Sequence, residues 1–215
     1  MSIKNGEMIF YDDPERLKVI ALINKIKNEQ EMLLSNTEAY QLVMAVKRTA
    51  KINGDIAEVG VYRGGSAKLI CEVKGSRTLH LFDTFNGLPD LSMMDDPRQF
   101  HKGQYPSSFK DVKTYLKKYS NIYIYKGLFN LNAEQVKNKK FSLVHLDVDL
   151  YQSTLSCLKF FYSKVNKGGV IISHDYYAPG VKKAFDEFFK EKPESIIELS
   201  LYSFRHCGHC LIIKC

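Results

Sequence analysis

Acidic residues stand at the ends of several short apolar runs in this 215-residue sequence. Glu58 and Gly60 lie at the end of the first run, Asp83 ends the second, and Asp147 and Asp175 follow two later runs. If the runs are parallel strands, their carboxyl ends open onto one crevice and these side chains converge there. Carboxylates held close together repel unless they bind a cation or share a proton. The pattern therefore predicts a cation-binding crevice.

Two of these acids, Asp147 and Asp175, are the predicted metal ligands. Oxygen ligands suit Mg²⁺ or Ca²⁺, whereas a nitrogen from His174 would favour Mn²⁺ or another transition ion. His174 could instead have only a structural role at the strand end. Asp149 has two interpretations, a third ligand or the N-cap of a helix that begins at Tyr151, and we favour the N-cap.

A glycine-rich turn follows the first predicted strand. Its pattern from Gly60 to Gly65 is G-x-x-x-G-G, not the G-x-G-x-x-G of dinucleotide-binding turns. Glycines there allow close approach of a ligand to the backbone and to the next helix N-terminus. Glu58 disfavours a pyrophosphate and suits a cationic or amine-bearing ligand. Asp83 is placed to accept hydrogen bonds from ribose hydroxyls, with a turn-forming role as the alternative.

Short apolar runs alternate with helical segments after Asn53, which predicts an α/β fold with a parallel sheet and helices on both faces. The predicted strands are Asp55 to Val61, Thr78 to Thr84, Ile122 to Lys126, Phe141 to Asp147 and Gly169 to His174. The predicted helices are Ser66 to Val73, Ser107 to Lys118, Asn130 to Lys137, Tyr151 to Val165 and Gly180 to Lys190. Two last strands, Ile196 to Arg205 and His209 to Lys214, are separated only by Cys207 and Gly208, which predicts an antiparallel hairpin.

The first 52 residues are predicted to be a helical cover that is not an independent domain, and residues 53–215 form the main domain. One helix begins at Pro14, and a capping box from Ser35 to Glu38 begins a second. We expect these helices to pack on the main domain or to form a homodimer contact, in preference to lying on a membrane. The connection over residues 86–106 is predicted to be a substrate lid, with a disordered insertion as the alternative.

Composition narrows the class of protein. Hydrophobic residues make up 45% of the chain and charged residues 26%, as in an ordinary globular protein. No apolar run approaches the roughly 20 residues of a membrane-spanning helix, and Met1 to Asp12 lacks a signal-peptide core, so we expect a cytoplasmic protein. The net charge of +7 comes from 31 basic residues, of which only six are arginine. Scattered lysines are typical of a solvated surface and argue against a nucleic-acid partner.

The five cysteines are uneven in spacing and odd in number, which favours a reducing compartment over a disulfide framework. The segment from His206 to Cys210 contains two histidines and two cysteines. A structural zinc site needs four ligands, normally in two separated pairs, and no second pair is present. We therefore favour a hairpin turn for this segment over metal or redox use.

Four ordered motifs resemble the macrocin O-methyltransferase (TylF/MycF-type) family. They are Glu58 to Ser66, Asp83 to Pro89, Leu146 to Thr154, and Lys167 to Ile172 with His174 to Tyr176 and Pro179-Gly180. The resemblance spans about residues 53–190. It implies a Rossmann-like class I methyltransferase fold, with a mostly parallel seven-stranded sheet, a C-terminal antiparallel hairpin and an N-terminal helical cover. It also implies S-adenosylmethionine as cofactor and methylation of a sugar hydroxyl with a divalent metal, Mg²⁺ or Mn²⁺.

The resemblance also implies roles for particular residues. Asp147 would be the catalytic base and a metal ligand, with His174 and Asp175 as further ligands. The family usually has two adjacent acids before the tyrosine, and His174 replaces the first, so the identity and the retention of the metal stay open. The residues implied for cofactor binding are Glu58, Gly60, Tyr62, Gly64, Gly65, Ser66, Asp83 and Thr84. 

The expected partner is a small molecule with a sugar hydroxyl. Two other functions are open on the sequence. A nucleic-acid methyltransferase would explain the basic charge, but an Asn-Pro-Pro-Tyr-like signature is missing from the sequence. A noncatalytic or NAD-binding Rossmann-like domain is the other, and the lack of G-x-G-x-x-G argues against NAD.

Overall fold

A seven-stranded sheet forms the centre of the protein. The computed structural model describes residues 2–4, 7–9, 13–199 and 208–215. The strands are β1 (Ser2–Lys4), β2 (Glu7–Ile9), β3 (Asp55–Val59), β4 (Leu79–Asp83), β5 (Ile122–Lys126), β6 (Phe141–Leu146), β7 (Val165–Ser173), β8 (Ile197–Glu198) and β9 (Cys210–Ile213). β1 and β2 form a separate antiparallel pair, and the large sheet has the order β5-β4-β3-β6-β7-β9-β8.

The topology of the sheet places a crevice between β3 and β6. β3 to β7 are parallel, and β9 pairs antiparallel with both β7 and β8. The chain runs outward from β3 in one direction to β5 and then returns to β6 on the other side of β3. Such a switch point opens a ligand crevice at the carboxyl ends of the strands. The mostly parallel α/β sheet with a C-terminal antiparallel hairpin, predicted from the sequence, is confirmed.

Helices cover both faces of the sheet. They are α1 (Pro14–Glu29), α2 (Asn36–Arg48), α3 (Gly65–Val73), α4 (Phe109–Tyr115), α5 (Phe129–Asn132) with a 3₁₀ turn (Ala133–Val136), α6 (Tyr151–Phe161) and α7 (Pro179–Phe189). The apolar side chains of α1, α2 and α3 share one core with the inward residues of β3 and β4. Those of α6 and α7 share a second core on the opposite face. Within the described residues, no helix combines the length and apolar composition that a bilayer crossing needs.

The two N-terminal helices begin as their sequences indicate. Asp13 caps α1 by accepting a hydrogen bond from the Glu15 amide, and Pro14 occupies the first turn. Ser35 and Glu38 form the expected capping box of α2. Each motif satisfies amide groups that lack partners within the helix, so local sequence is enough to fix these starts.

Two boundaries near residue 165 differ from the predictions. α6 ends at Phe161 instead of Val165, and β7 begins at Val165 instead of Gly169. Val165 pairs with Phe141 ahead of a register shift in the β6–β7 ladder, so its apolar side chain is buried in a strand. The helix predicted from Asn130 to Lys137 is also divided, into α5 and the 3₁₀ turn.

The predicted two-residue turn of the last hairpin is wrong. Glu198 pairs with Cys210, and the amide of Leu199 donates to the carbonyl oxygen of His209, a register that a turn made only of Cys207 and Gly208 cannot produce. Residues 200–207, which include part of the predicted turn, lie outside the described part of the chain. Beside the strands, the buried carboxylate of Glu194 accepts hydrogen bonds from the Lys214 ammonium and, at 2.7 Å, from the Tyr162 hydroxyl. A buried charge is costly without such partners, so this contact stabilises the observed register.

Replacing Glu194 by Gln should destabilise the protein in a pH-dependent way. Burial alone raises the pKa of Glu194, but the bonds from Lys214 and Tyr162 outweigh it and lower the pKa from 4.5 to about 2. Because the folded pKa is depressed, the carboxylate stabilises fully above pH 4.5, and this stabilisation is lost as the pH falls toward 2. We expect Glu194→Gln to cost about 1–3 kcal/mol at pH 7.

Urea unfolding at pH 7 and pH 4 measures this difference. The gap between wild type and Glu194→Gln should narrow at pH 4. Glu191→Gln, at an exposed position of the same connection, is the control and should unfold like wild type. A gap that is the same at both pH values would contradict the assignment.

Candidate active site

A cavity of about 640 Å³ lies at the carboxyl ends of the parallel strands. Its walls come from the turn after β3, the segment of residues 86–106, the connection after β5 and the start of α6. Nine of the eleven predicted site residues line it: Gly60, Tyr62, Gly65, Ser66, Asp83, Thr84, Asp147, His174 and Asp175. Among the predicted site residues, Glu58 and Gly64 are not in the wall. The roles of the nine residues stay predictions.

Gly60 brings the glycine-rich turn against the end of β6. Its φ is 89°, and a Cβ atom there would lie 1.7 Å from the carbonyl oxygen of Asp147. A side chain at this position would collide with backbone, which cannot move aside cheaply. The amide of Asp147 donates to the carbonyl oxygen of Val59 at 2.8 Å, so the two strand ends are held together. The turn and Asp147 therefore share one cavity.

The Asp83 carboxylate holds the glycine-rich turn in place. Its Oδ2 accepts hydrogen bonds from the amides of Val61 and Tyr62, at 2.7 and 2.8 Å, and its Oδ1 accepts one from Phe85 at 2.6 Å. Burial raises the pKa of Asp83, and these amide bonds only partly offset the effect. The turn-forming role left open by the sequence is thus present.

Glu58 does not contact the cavity, which corrects its predicted place beside a ligand. The residue is 0% exposed, and its Oε1 lies 2.9 Å from Nδ1 of His145. Side chains alternate along a strand, and Ala57 and Val59 belong to the opposite core, so Glu58 points into the layer of α1 to α3. Burial raises the pKa of Glu58, against hydrogen bonds from His145 and Ser66. 

Gly64, the N-cap of α3, also lies outside the cavity wall, and a Cβ atom there would lie 3.4 Å from the Val112 side chain.

Asp147, His174 and Asp175 form a compact cluster at the ends of β6 and β7. Nδ1 of His174 lies 3.1 Å from Oδ1 of Asp147 and 2.7 Å from Oδ2 of Asp175. Burial lowers the pKa of His174, but the two carboxylates outweigh it and raise the pKa well above its usual value. For Asp147, burial raises the pKa, but the positive charge of His174 prevails and lowers it to about 2. His174 and Asp147 therefore form an ion pair.

The same three residues fit a divalent cation. One ligand atom from each lies within 4.8 Å of the others, and within the described chain this is the one group of three or more such residues that meets this spacing. The donor set is two carboxylate oxygens and one imidazole nitrogen, which suits Mn²⁺ or a similar ion better than Ca²⁺. A cation and the acidic proton of His174 would compete for the same carboxylates.

Asp149 does not cap α6, which corrects the favoured interpretation. The N-cap position is Leu150, and the amide of Tyr151 donates instead to Oδ1 of Asp95 at 2.8 Å. Asp149 has a left-handed backbone with φ of 60°. Burial, followed by repulsion from Asp175 and Asp147, raises its pKa well above the usual value. The surroundings of Asp149 therefore favour its protonated form, which can donate a hydrogen bond to Asp175.

Three further acids contact residues or elements that form the cavity and were not predicted as site residues. Oε2 of Glu38 lies 3.4 Å from Nε2 of His174. Glu31 accepts hydrogen bonds from the Tyr62 hydroxyl and the Arg63 guanidinium at the mouth of the cavity. Asp95 reaches α6 from residues 86–106. The capping box of α2 already accounted for Glu38 in the sequence. No local sequence pattern distinguishes Glu31 or Asp95 from other acidic residues.

The fold and the cavity together define a class of protein. A mixed seven-stranded sheet with a reversed C-terminal hairpin, a glycine-rich turn after its central strand and a cavity above that turn form a Rossmann-like methyltransferase fold. A solved structure of the O-methyltransferase NovP superposes with a TM-score of 0.72 at 20% sequence identity, over 85% of this chain and 81% of that one. At this identity the likeness establishes the fold.

The chain belongs to the macrocin O-methyltransferase (TylF) family, whose model matches residues 35–199. It is 28% identical over 153 residues to a demethyldecarbamoylnovobiocin O-methyltransferase from Streptomyces niveus, which covers 64% of this chain. It is 24% identical over 152 residues to the 8-demethyl-8-(2,3-dimethoxy-alpha-L-rhamnosyl)-tetracenomycin-C 4'-O-methyltransferase of Streptomyces olivaceus, again over 64% of this chain. The match spans 58% of the length of each relative. The resemblance noted in the motifs is confirmed.

Replacing Asp83 by Asn should destabilise the protein even without any ligand. An amide has one acceptor oxygen, so at least one of the three backbone donors loses its partner, at a cost of about 1–3 kcal/mol. Urea unfolding of the ligand-free protein measures the loss. Asp90→Asn, at an exposed carboxylate of residues 86–106, is the control. Unchanged stability of Asp83→Asn would contradict the structural role.

Proposed function

We propose that this protein transfers the methyl group of S-adenosylmethionine to a hydroxyl of a sugar or of a glycosylated small molecule. The carrying observation is the close approach of Gly60 to the carbonyl oxygen of Asp147. This approach brings the glycine-rich turn after β3 and the carboxylate of Asp147 into one cavity. Family membership supports the same reaction, and the tetracenomycin relative is named for an O-methylation of a rhamnosyl-bearing molecule.

The turn after β3 supplies the cofactor end of the cavity. Gly60 lines it after β3, and Gly65 and Ser66 line it at the start of α3, where the amides of the first helical turn favour a carboxylate such as that of the methionine moiety. Oδ1 of Asp83 accepts one amide bond and keeps a lone pair for a ribose hydroxyl. Phe129 offers an aromatic face in the cavity wall for an adenine ring.

The cluster at β6 and β7 supplies the acceptor end. In the transfer, the hydroxyl oxygen bonds to the methyl carbon as the carbon–sulfur bond breaks, and S-adenosylhomocysteine leaves with the sulfur electron pair. The hydroxyl proton passes to the carboxylate of Asp147, whose side chain is 24% exposed to the cavity. His174 and Asp175 hold that carboxylate in position.

The low pKa of Asp147 limits it as a base. A carboxylate with a pKa of about 2 takes a proton from a neutral hydroxyl only at a large energetic cost. A divalent cation held by Asp147, His174 and Asp175 would lower the pKa of a hydroxyl that it binds and would orient two adjacent hydroxyls. Metal assistance is therefore part of the proposal.

Calorimetry and a methyl-transfer assay test the reaction. Wild-type protein should bind S-adenosylhomocysteine, and it should convert a member of a panel of p-nitrophenyl glycosides (rhamnoside, glucoside, galactoside, xyloside) to a product one methylene heavier. Asp147→Asn should reduce transfer at least about 100-fold, the usual contribution of a positioned base, with affinity for S-adenosylhomocysteine preserved. Asp111→Asn, an exposed acid of α4, is the control.

Each arm has an outcome that would reject part of the proposal. Failure to bind S-adenosylhomocysteine rejects the methyltransferase. Binding without a methylated glycoside rejects the sugar acceptor, and methylation of 3,4-dihydroxybenzoate in its place would assign a catechol. Normal transfer by Asp147→Asn removes that residue from the chemistry.

Removal of metal should lower transfer. We expect EDTA to reduce the rate at least about tenfold and Mn²⁺ or Mg²⁺ to restore it, because a bound cation supplies several kcal/mol of charge stabilisation. Binding of Mn²⁺ can be followed independently by loss of its free paramagnetic resonance signal, and Asp175→Asn should weaken it. Full activity in EDTA with no bound Mn²⁺ would show that transfer needs no metal. Protonated His174 would then supply the positive charge between the carboxylates of Asp147 and Asp175.

A further inference from the structure

An acid in the lid completes the first turn of the helix that follows Asp147. Asp95 lies in residues 86–106, hereafter the lid, and is only 8% exposed. Its Oδ1 accepts the hydrogen bond of the Tyr151 amide at 2.8 Å, and its Oδ2 accepts bonds from the amide and the hydroxyl of Ser92 at 2.8 and 2.7 Å. The amides of a first helical turn have no partners within the helix. Since the N-cap Leu150 has no side-chain acceptor, the lid provides it.

The turn before that helix is tightly bent. The amide of Leu150 donates to the carbonyl oxygen of Val148 at 2.6 Å, around Asp149 with its φ of 60°. A three-residue turn with positive φ at a residue other than glycine is strained and persists only where the surroundings fix it. Asp147 directly precedes this turn, and Tyr151, bound to Asp95, directly follows it.

Gly180 leaves the space that Asp95 occupies. A Cβ atom at Gly180 would lie 2.2 Å from Oδ1 of Asp95 and 3.1 Å from the amide nitrogen of Tyr151. Gly180 stands in the first turn of α7, where glycine weakens a helix relative to alanine. Room for a carboxylate from the lid is a physical reason for glycine at this position.

We propose that Asp95 is a positioning residue that couples docking of the lid to the arrangement of Asp147 and Asp149. The lid residues Gln99, Phe100 and Tyr105 line the cavity, so a docked lid encloses a bound acceptor. Docking of the lid also places Asp95 against Tyr151 and fixes the turn between Asp147 and α6. Enclosure of the substrate and assembly of the reacting groups become one event. This inference rests on the proposed methyl transfer for its catalytic consequence.

Amide hydrogen exchange of the full-length ¹⁵N-labelled protein, without ligand, tests the contact. In Asp95→Ala the Tyr151 amide should exchange about tenfold faster, the effect of one lost hydrogen bond. Asp95→Asn should restore protection in part, because its single side-chain oxygen can still accept the Tyr151 bond while the Ser92 amide loses its acceptor. Asp96→Ala changes the adjacent lid acid, which pairs with Arg98 at the surface, and should leave Tyr151 as in wild type.

A double-mutant cycle tests the role of Gly180. Gly180→Ala alone should speed exchange at Tyr151, because the added methyl group displaces the carboxylate of Asp95. In the Asp95→Ala background the carboxylate is gone, so Gly180→Ala should add less than about twofold. If the two substitutions changed the exchange rate of the Tyr151 amide independently, so that their effects multiplied, the steric contact between Gly180 and Asp95 would be rejected.

The catalytic consequence is measured with the glycoside that wild type methylates. Asp95→Ala should lower kcat about tenfold with the affinity for S-adenosylhomocysteine within threefold of wild type, and Asp95→Asn should recover part of kcat. An unchanged Tyr151 amide, or an Asp95→Asn variant as impaired as Asp95→Ala, would overturn the proposal. If wild type does not bind S-adenosylhomocysteine, the proposed function fails, while the exchange data still decide whether Asp95 holds α6.

Discussion

The charge balance among Asp147, Asp149, Asp175 and His174 is the constraint on which the site depends. Three carboxylates this close cannot all be ionised in a buried place, because their repulsion is weakly screened there. The structure relieves this repulsion in two ways: the His174 ring lies between Asp147 and Asp175, which raise its pKa, and burial and the two neighbouring carboxylates raise the pKa of Asp149. Both arrangements require that the backbone at the ends of β3 and β6 is held in place. Gly60 lets β3 and β6 meet, and the bent turn at Asp149 presents its carboxyl group to Asp175.

Much of this arrangement could be predicted because it follows from periodicity and topology. Alternating strands and helices force a parallel sheet, and a parallel sheet forces the acids at its strand ends into one crevice. That reasoning placed Asp83, Asp147 and Asp175 correctly in the cavity wall. The N-terminal helix starts were also predictable, since a capping box is a contact between residues three apart.

The errors share a physical cause, which is dependence on partners far away in the sequence. Whether Glu58 faces a ligand depends on which side of β3 it occupies, and the buried His145 on β6 decides that. Asp149 follows the local rule for an N-cap, but Asp95 supplies the acceptor from 56 residues away. The start of β7 was missed because Val165 pairs with Phe141 on another strand. A local pattern carries no information about such choices.

The bulk charge of +7 is a poor guide to the ligand for the same reason. At physiological ionic strength, exposed charges are screened within about 8 Å, so scattered lysines create only a weak field inside a recessed cavity. Buried carboxylates are screened much less and set the local sign of the potential. A sulfonium and a divalent cation are attracted to such a place, whereas a nucleic-acid phosphate is repelled. The arrangement of a few acids at three strand ends, rather than the surplus of lysine, therefore sets the local potential of the cavity.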